Sequence, residues 1–319
     1  MTGRVIFFTN LHSHGVRRKG SRLNAFHETH AKPDYIALDA RTVAQTQRQL
    51  KALALTSQDH LFLEGGDGTI QQTLSSLLNS LPSTDDCPKI SLIAGGLTNQ
   101  IAANIGLKAT HDEQILAAIN TPNKGLRPTP ILRLDGLSEQ PLFGCLFSTG
   151  AMPFVTEYYA KKIRTNPAGG KAAIAATIVK AVAGNQTARD VLMPATELSL
   201  RIESGVSVKT KTGAHLGTVV TTLPSLILGL DPFWGKGDGD LRVFYADARA
   251  RRLVRNLTGL WLGRKSTDRS PDGLESFQAD QLQYHYNGPV VLDGEPISLT
   301  DKLTLSATPP LPFIVTPTS

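Results

Sequence analysis

The sequence predicts an α/β domain with a parallel sheet, followed by a domain of antiparallel β structure. In the first 130 residues, short apolar runs alternate with helix-like segments. From about residue 140 onward, segments that alternate in polarity or favour β-branched and aromatic residues are separated by Gly, Asp and Asn. The first pattern is typical of a parallel sheet with helices on both faces, and the second is typical of antiparallel strands.

In the first domain, four apolar runs predict strands, and the segment after the third run predicts the clearest helix. The apolar residues of that segment recur at the spacing of one helical face. The predicted strands are residues 5–8, 35–38, 61–63 and 90–94. The apolar positions of the helix are Ile70, Leu74, Leu77, Leu78 and Leu81.

In the second domain, we expect five strands and two helices. The strands are residues 197–202, 206–210, 241–246, 282–286 and 297–306, and the helices are residues 171–183 and 248–262. The proline-rich stretch 121–130 predicts a hinge. The predicted domains are therefore residues 1–130 and 131–305, with a C-terminal tail at 306–319 whose return to the first domain is left open.

The composition excludes several classes of protein. A net charge of +6 in 319 residues is too small and too scattered to predict a nucleic-acid partner. The two cysteines, Cys87 and Cys145, provide neither a disulfide framework nor a zinc spacing. The N-terminus lacks the features of a signal peptide, and no apolar run reaches the roughly 18 residues that span a bilayer. We expect a cytoplasmic protein, soluble or peripheral to a membrane.

The segment LFLEGGDGTIQQTLSSLL, residues 61–78, places three glycines between a predicted strand and a predicted helix. One interpretation is a tight turn with Asp67 or Thr69 as the helix cap. The other is a loop whose backbone N–H groups bind a phosphate at the helix N-terminus. Candidate loops also follow the first and fourth apolar runs, and ligands of parallel sheets bind at the carboxyl ends of the strands. This convergence favours the phosphate loop.

The sequence GGDGT, residues 65–69, differs from the sequences of two common phosphate-binding motifs. No Gly-Lys-Ser/Thr follows it as in a P-loop, and the glycine spacing of a dinucleotide fingerprint is absent. The motif offers unhindered N–H groups, one carboxylate and one hydroxyl at a helix start. This set suits a nucleotide phosphate accompanied by a divalent cation, which requires oxygen ligands.

Three motifs together resemble those of the diacylglycerol kinase catalytic-domain family, which also contains sphingosine, ceramide and bacterial multi-substrate lipid kinases. They are GGDGT at 65–69, GLTNQIA at 96–102 followed by Gly106, and YNGPVVLDGEPI at 286–297. The corresponding family motifs read GGDGT, Gly-Thr-x-Asn-Asp-x-Ala and Asp-Gly-Glu. The order of the three, over nearly the full length of the chain, makes the resemblance specific.

The resemblance implies an N-terminal α/β nucleotide-binding domain with a parallel sheet, a C-terminal antiparallel β-sandwich that binds lipid, and a reaction in the cleft between them. It implies a kinase of phospholipid biosynthesis that uses ATP and Mg²⁺ to phosphorylate a hydroxyl of diacylglycerol or a related amphipathic alcohol. Glu295 is then the general base, and Asp67 is a catalytic residue near the ATP-bound Mg²⁺. ATP is expected to contact Asn10, Gly65, Gly66, Gly68, Thr69, Gly96, Thr98 and Asn99.

The chain departs from the family pattern in two loops. The first loop often reads Asn-Pro-x-Ser/Ala-Gly in the family, whereas residues 10–15 read NLHSHG. In the second loop, Leu97 replaces a hydroxyl residue and Gln100 replaces an aspartate. Because an amide carries no charge, any cation contact made by that aspartate is weakened here.

Several alternatives stay open from the sequence. A non-catalytic lipid- or nucleotide-binding homologue would explain Gln100, although Asp67 and Glu295 are intact. An NAD kinase also contains GGDG, but the Asn-Glu motif that follows it in that family is missing here. Asp-Gly-Glu by itself is also an ordinary hairpin turn. The basic amphipathic segment 247–265 fits either a helix at an anionic membrane surface or a helix packed on the β domain.

Overall fold

The computed structural model describes residues 3–97, 99–109, 111–154, 194–226, 231–264 and 268–316, without the side chains of Val254, Leu257 and Trp261. The chain divides into two compact units. The first unit contains residues 1–131 together with residues 308–319. The second unit contains residues 132–307.

The first unit is an α/β domain. Its described strands are β1 Val5–Asn10, β2 Tyr35–Ala40, β3 His60–Gly65, β4 Lys89–Ala94, β5 Leu126–Thr129 and β15 Leu311–Ile314. Its described helices are α1 His14–Lys19, α2 Arg22–His30, α3 Val43–Leu53, α4 Asp67–Leu78, α5 Gln100–Ile105, α6 Asp112–Asn120 and α7 Pro122–Gly125.

These strands form one sheet in the order β2-β1-β3-β4-β15-β5. All neighbouring pairs are parallel except β15 with β5. All six residues of β3 are buried, as expected for a central strand covered by helices on both faces. The four predicted strands and the parallel sheet are therefore confirmed.

Helix α4 follows the apolar spacing that predicts it. Ile70, Leu74, Leu77 and Leu78 are buried, so this face of the helix belongs to the core. Asn79 is the C-cap, and Leu81 lies beyond the end of the helix.

The second unit is an antiparallel β domain. Its described strands are β6 Leu132–Asp135, β7 Leu142–Gly144, β8 Leu146–Ser148, β9 Thr196–Ser204, β10 Ser207–Thr221, β11 Leu241–Asp247, β12 Leu274–Ala279, β13 Gln281–Leu292 and β14 Glu295–Ala307. Eight follow the order β12-β11-β10-β8-β13-β14-β6-β7, and β9 pairs with both β10 and β13. One core cluster includes side chains from β6, β8–β11, β13 and β14. Antiparallel β structure is thus confirmed, and it includes strands that the sequence pattern did not predict.

The basic segment of this unit forms helix α8, Leu253–Trp261. Leu253 is buried in a cluster with Leu216 and Leu274, whereas Arg255 is exposed. This arrangement supports the packed-helix interpretation of residues 247–265. The helix predicted at 171–183 lies outside the described residues, and no helix within the described ranges has the length and apolarity to span a membrane.

An ion pair between the buried Asp59 and the partly exposed Arg4 anchors the amino end of β3. The Asp59 carboxylate is 3% exposed and lies 2.7 Å from Nη2 of Arg4. Burial by itself raises the pKa of the Asp59 carboxyl, but hydrogen bonds from the Arg4 side chain and from the backbone N–H groups of Thr56 and Arg4 outweigh it and lower the pKa to about 2.

Because the pKa of Asp59 is lower in the folded state than in the unfolded chain, its contribution is present above about pH 4 and is lost as the pH falls towards 2. We predict that Asp59→Asn lowers the free energy of unfolding by about 2 kcal/mol near neutral pH. Urea denaturation across this range should show the gap to wild type closing below pH 4. Asp135→Asn, which breaks an exposed ion pair with Arg133, is the control and should change little. A gap that is independent of pH would contradict the assignment.

Candidate functional site

The loops after β1, β3 and β4 meet at the carboxyl edge of the first sheet. These strands are neighbours and end at Asn10, Gly65 and Ala94. The backbone N–H of Gly95 donates to the carbonyl of Gly65 at 2.8 Å, and the N–H of Gly15 donates to the carbonyl of Gly95 at 2.8 Å. The three candidate loops of the sequence are thus linked by backbone hydrogen bonds.

This contact requires glycine at particular positions. A Cβ atom on Gly96 would lie 2.5 Å from Cα of Gly66, and a Cβ atom on Gly15 would lie 2.6 Å from the carbonyl oxygen of Gly95. Both contacts involve backbone atoms, which cannot rotate away. The glycines therefore allow the loops to approach, and they leave backbone N–H groups unshielded by side chains.

Side chains connect the first loop to GGDGT. The Asn10 amide donates to Oγ1 of Thr69 at 2.8 Å, and the Ser13 hydroxyl lies 3.2 Å from the same atom. The Asn10 side-chain oxygen accepts from the backbone N–H of His12 at 2.8 Å. Asn10 therefore shapes its own loop and also fixes the first turn of α4.

Asn99 closes the second loop on itself. Its side-chain oxygen accepts from the N–H of Gly96 at 2.7 Å, and its amide donates to the carbonyl of Gly96 at 2.9 Å. Its φ of 50° is left-handed, a conformation that asparagine tolerates better than most residues. This residue is the N-cap of α5.

Asp67 begins α4 but caps a different helix. Its carboxylate is 9% exposed and accepts from the backbone N–H groups of Gln100 at 3.0 Å and Ile101 at 2.9 Å, the first turn of α5. Asp67 is therefore a structural link between the first and second motifs.

The helix N-termini at this edge are occupied differently. At α2, the carboxylate of Glu64 accepts from the N–H groups of Arg22 and Leu23, and Asp67 supplies the corresponding carboxylate at α5. At α4, the N-cap is Gly66 and makes no side-chain cap hydrogen bond. A helix N-terminus attracts negative charge. Of the N-termini of α2, α4 and α5, that of α4 is therefore the best suited to bind an external anion.

In the second unit, Asp-Gly-Glu forms the turn of the β13–β14 hairpin. Leu292 pairs with Glu295, and Asp293 and Gly294 have φ of 49° and 91°, as in a two-residue type I′ turn. The Asp293 carboxylate accepts from the N–H groups of Cys145 at 2.9 Å and Leu146 at 2.8 Å. The aspartate of this motif is thus a brace for the hairpin.

Glu295 is exposed at the start of β14. Within the described part of the chain, its carboxylate has no hydrogen-bond or ion-pair partner. It is therefore available as a proton acceptor, in contrast to Asp293.

The structure assembles most of the predicted nucleotide contacts at one edge, while Glu295 lies in the second unit and Thr98 lies outside the described residues. The assembled residues are Asn10, Gly65, Gly66, Asp67, Gly68, Thr69, Gly96 and Asn99. Sequence reasoning missed Ser13 and Glu64. Glu64 directly precedes GGDGT, and an ionisable residue in an otherwise apolar strand was the signal that pointed to it.

Comparisons with known proteins agree with this architecture. Residues 4–128 match the family model of the diacylglycerol kinase catalytic domain. No protein with a curated description matches the chain.

Solved structures show the same fold at low identity. A diacylglycerol kinase from Bacillus anthracis str. Sterne is 13% identical with a TM-score of 0.63, over 98% of this chain and 97% of that one. A protein named as a putative diacylglycerol kinase from the same organism is 15% identical with a TM-score of 0.68 at the same coverage. The likeness to these structures extends over both units of the chain, and the resemblance to the diacylglycerol kinase catalytic-domain family is confirmed over residues 4–128.

Proposed function

We propose that this protein is an ATP-dependent kinase that transfers the γ-phosphoryl group to a hydroxyl of diacylglycerol or a related lipid alcohol. The observation that carries the proposal is the uncapped N-terminus of α4, placed among three glycine-containing loops within the region that matches the family model. Such a terminus favours a phosphate group through its N–H donors and its dipole.

ATP is proposed to bind with its phosphates at Gly66, Gly68 and Thr69. Neither glycine has a side chain that would block a phosphate oxygen. The N–H of Gly66 donates to the Ser13 hydroxyl at 3.4 Å, and a phosphate oxygen would replace that acceptor. The remaining proposed contacts come from the adjoining loops. They are Asn10, Gly65, Gly96, Thr98 and Asn99.

The oxygen donors of the site fit Mg²⁺ if the cation binds together with the phosphates of ATP. No group of three His, Cys, Asp or Glu side chains able to hold a metal occurs among the described residues. Mg²⁺ is commonly held by one or two carboxylates together with substrate phosphates, and Asp67 supplies one carboxylate. When bound, the cation would neutralise phosphate charge. Asp67 is the proposed contact, and Gln100 offers only a neutral amide.

Glu295 is the proposed general base. As the lipid oxygen forms its bond to the γ-phosphorus and the bond from that phosphorus to ADP breaks, the hydroxyl proton passes to the Glu295 carboxylate. The brace from Asp293 to residues 145–146 holds the turn that carries Glu295. A fixed carboxylate needs less reordering at the moment of transfer.

A second candidate function is favoured by Gln100 alone. A homologue that binds lipid or nucleotide without catalysis could dispense with a carboxylate at this position. The free carboxylate of Glu295 and the retention of Asp67 favour the kinase instead.

We predict that Glu295→Gln lowers turnover by roughly 10²–10⁴-fold, because the amide keeps the shape but cannot take the proton. ATP affinity should be unchanged. The measurement is transfer of label from ATP to diacylglycerol in vesicles, with ATP affinity determined separately. Glu139→Gln, an exposed loop position in the same unit, is the control. Near-normal turnover of Glu295→Gln would contradict the assignment of Glu295 as the general base.

Gln100→Asp should strengthen Mg²⁺ dependence. Residue 100 begins α5 beside Asp67, so a second carboxylate there adds a cation ligand, and without the cation the two charges repel. We expect a gain of about 5–150-fold in apparent Mg²⁺ affinity and a melting temperature that falls without Mg²⁺ and recovers with it.

The control for Gln100→Asp is Gln47→Glu, which adds the same charge on the exposed face of α3. Its Mg²⁺ titration should match that of wild type. If Gln100→Asp also matches wild type, residue 100 does not influence cation binding.

Gly96→Ala tests the close approach of the loops. The added Cβ would collide with the backbone of Gly66, so we expect a stability loss of about 1–3 kcal/mol and a fall in ATP affinity of at least tenfold. Calorimetric titration with ATP measures the second effect on folded protein. Gly259→Ala, where the nearest atom to the new Cβ is 3.7 Å away, should bind ATP normally. Normal ATP binding by Gly96→Ala would show that the loops tolerate separation.

A further inference from the structure

We propose that Glu64 is a positioning residue for the nucleotide site, because its buried carboxylate substitutes for an anion at the N-terminus of α2 and fixes the segment from Asn10 to Ser21. The inference rests on the proposed function and deepens it. Neither the family motifs nor the proposed mechanism assigns a role to Glu64.

Glu64 is 3% exposed, and three groups at the N-terminus of α2, one of them on the N-cap residue, donate to its carboxylate. Its Oε2 accepts from the Ser21 hydroxyl at 2.7 Å and from the N–H of Leu23 at 3.1 Å, and its Oε1 accepts from the N–H of Arg22 at 3.0 Å. Ser21 is the N-cap of this nine-residue helix. Three donors and the helix dipole stabilise the negative charge, as they would stabilise a bound phosphate.

The Arg22 guanidinium is directed elsewhere. It lies 2.8 Å from the Asp112 carboxylate, and no ion pair to Glu64 occurs in the described ranges. The helix N-terminus is therefore the main compensation for the Glu64 charge. Removing the carboxylate leaves N–H groups of α2 without their acceptor, which is costly when they are buried.

Ser21 extends the contact to the neighbouring strand. Its hydroxyl lies 3.0 Å from Oγ1 of Thr9, and Thr9 is the register partner of Glu64 in the β1–β3 pair. The Ser21 hydroxyl donates its proton to Glu64, and the Thr9 hydroxyl has two acceptors within reach, Oγ of Ser21 at 3.0 Å and Oδ1 of Asn24 at 3.3 Å. The three side chains thus link the ends of β1, β3 and α2.

The segment between Asn10 and Ser21 is held at three places. At its beginning, Asn10 and Ser13 hydrogen-bond to Thr69. In its middle, the N–H of Gly15 donates to the Gly95 carbonyl. At its end, the Ser21 hydroxyl donates to Glu64. Release of the end frees α1 to move, and with it the Ser13 and Asn10 contacts that shape the first turn of α4. Glu64 therefore acts on ATP through the loop and not by touching it.

Asp59 provides a matched control in the same strand region. It is also a carboxylate that is 3% exposed and accepts several hydrogen bonds, but it precedes β3, whereas Glu64 lies near its carboxyl end. A purely structural role predicts the same consequences for both residues. A positioning role predicts that Glu64 alone affects ATP.

The experiment compares Glu64→Ala with Asp59→Ala in the full-length protein, using hydrogen exchange without nucleotide and steady-state kinetics with ATP. Both variants should lose stability. For Glu64→Ala we expect faster amide exchange across residues 13–24 and a KM for ATP raised about tenfold, with a smaller change in kcat. For Asp59→Ala, exchange in that segment and the KM for ATP should match wild type.

An unchanged KM for folded Glu64→Ala, or an equal change in Asp59→Ala, would overturn the inference. If Glu64→Ala does not fold, Ser21→Ala removes one of the three contacts and should raise the KM in the same direction by a smaller factor. If wild type itself fails to bind ATP, the proposed function is wrong, whereas the exchange measurement still decides whether Glu64 holds residues 13–24.

Discussion

The hydrogen bond from the Gly95 N–H to the Gly65 carbonyl is the contact on which the candidate nucleotide site depends. It joins the ends of β3 and β4 at 2.8 Å, and a Cβ atom on Gly95 would lie 3.0 Å from the backbone nitrogen of Gly65. The two loops can approach this closely because both residues in the contact are glycines. Asp67 can reach α5 because this contact brings GGDGT and the second loop together.

Charge then determines how the helix N-termini of this edge are used. Buried carboxylates from Glu64 and Asp67 occupy the first turns of α2 and α5. Helix α4 begins at Asp67, and its N-cap, Gly66, makes no side-chain cap hydrogen bond. Since these carboxylates satisfy N–H donors of α2 and α5, α4 is the one of these three helices whose first turn has no side-chain cap.

Features that depend on a local residue pattern could be predicted from the sequence. Burial on both faces makes the strands of the first sheet continuous apolar runs, and the Asp-Gly turn of the β13–β14 hairpin is a local signal. Contacts between residues that are distant in the sequence could not be predicted from it. Asp67 was expected to cap its own helix or contact a cation, and its hydrogen bonds to residues 100 and 101 depend on how β3 and β4 pair. The partners of Glu64 lie more than 40 positions away, so periodicity contains no information about them.

The most direct test of the central claim is transfer of label from γ-labelled ATP by the purified full-length protein with Mg²⁺. The acceptors are vesicles containing diacylglycerol, a sphingoid base or ceramide, and soluble NAD. The proposed function predicts label in one of the lipids and none in NAD. Label in NAD alone, or ATP binding with no labelled acceptor in the panel, would contradict a lipid kinase.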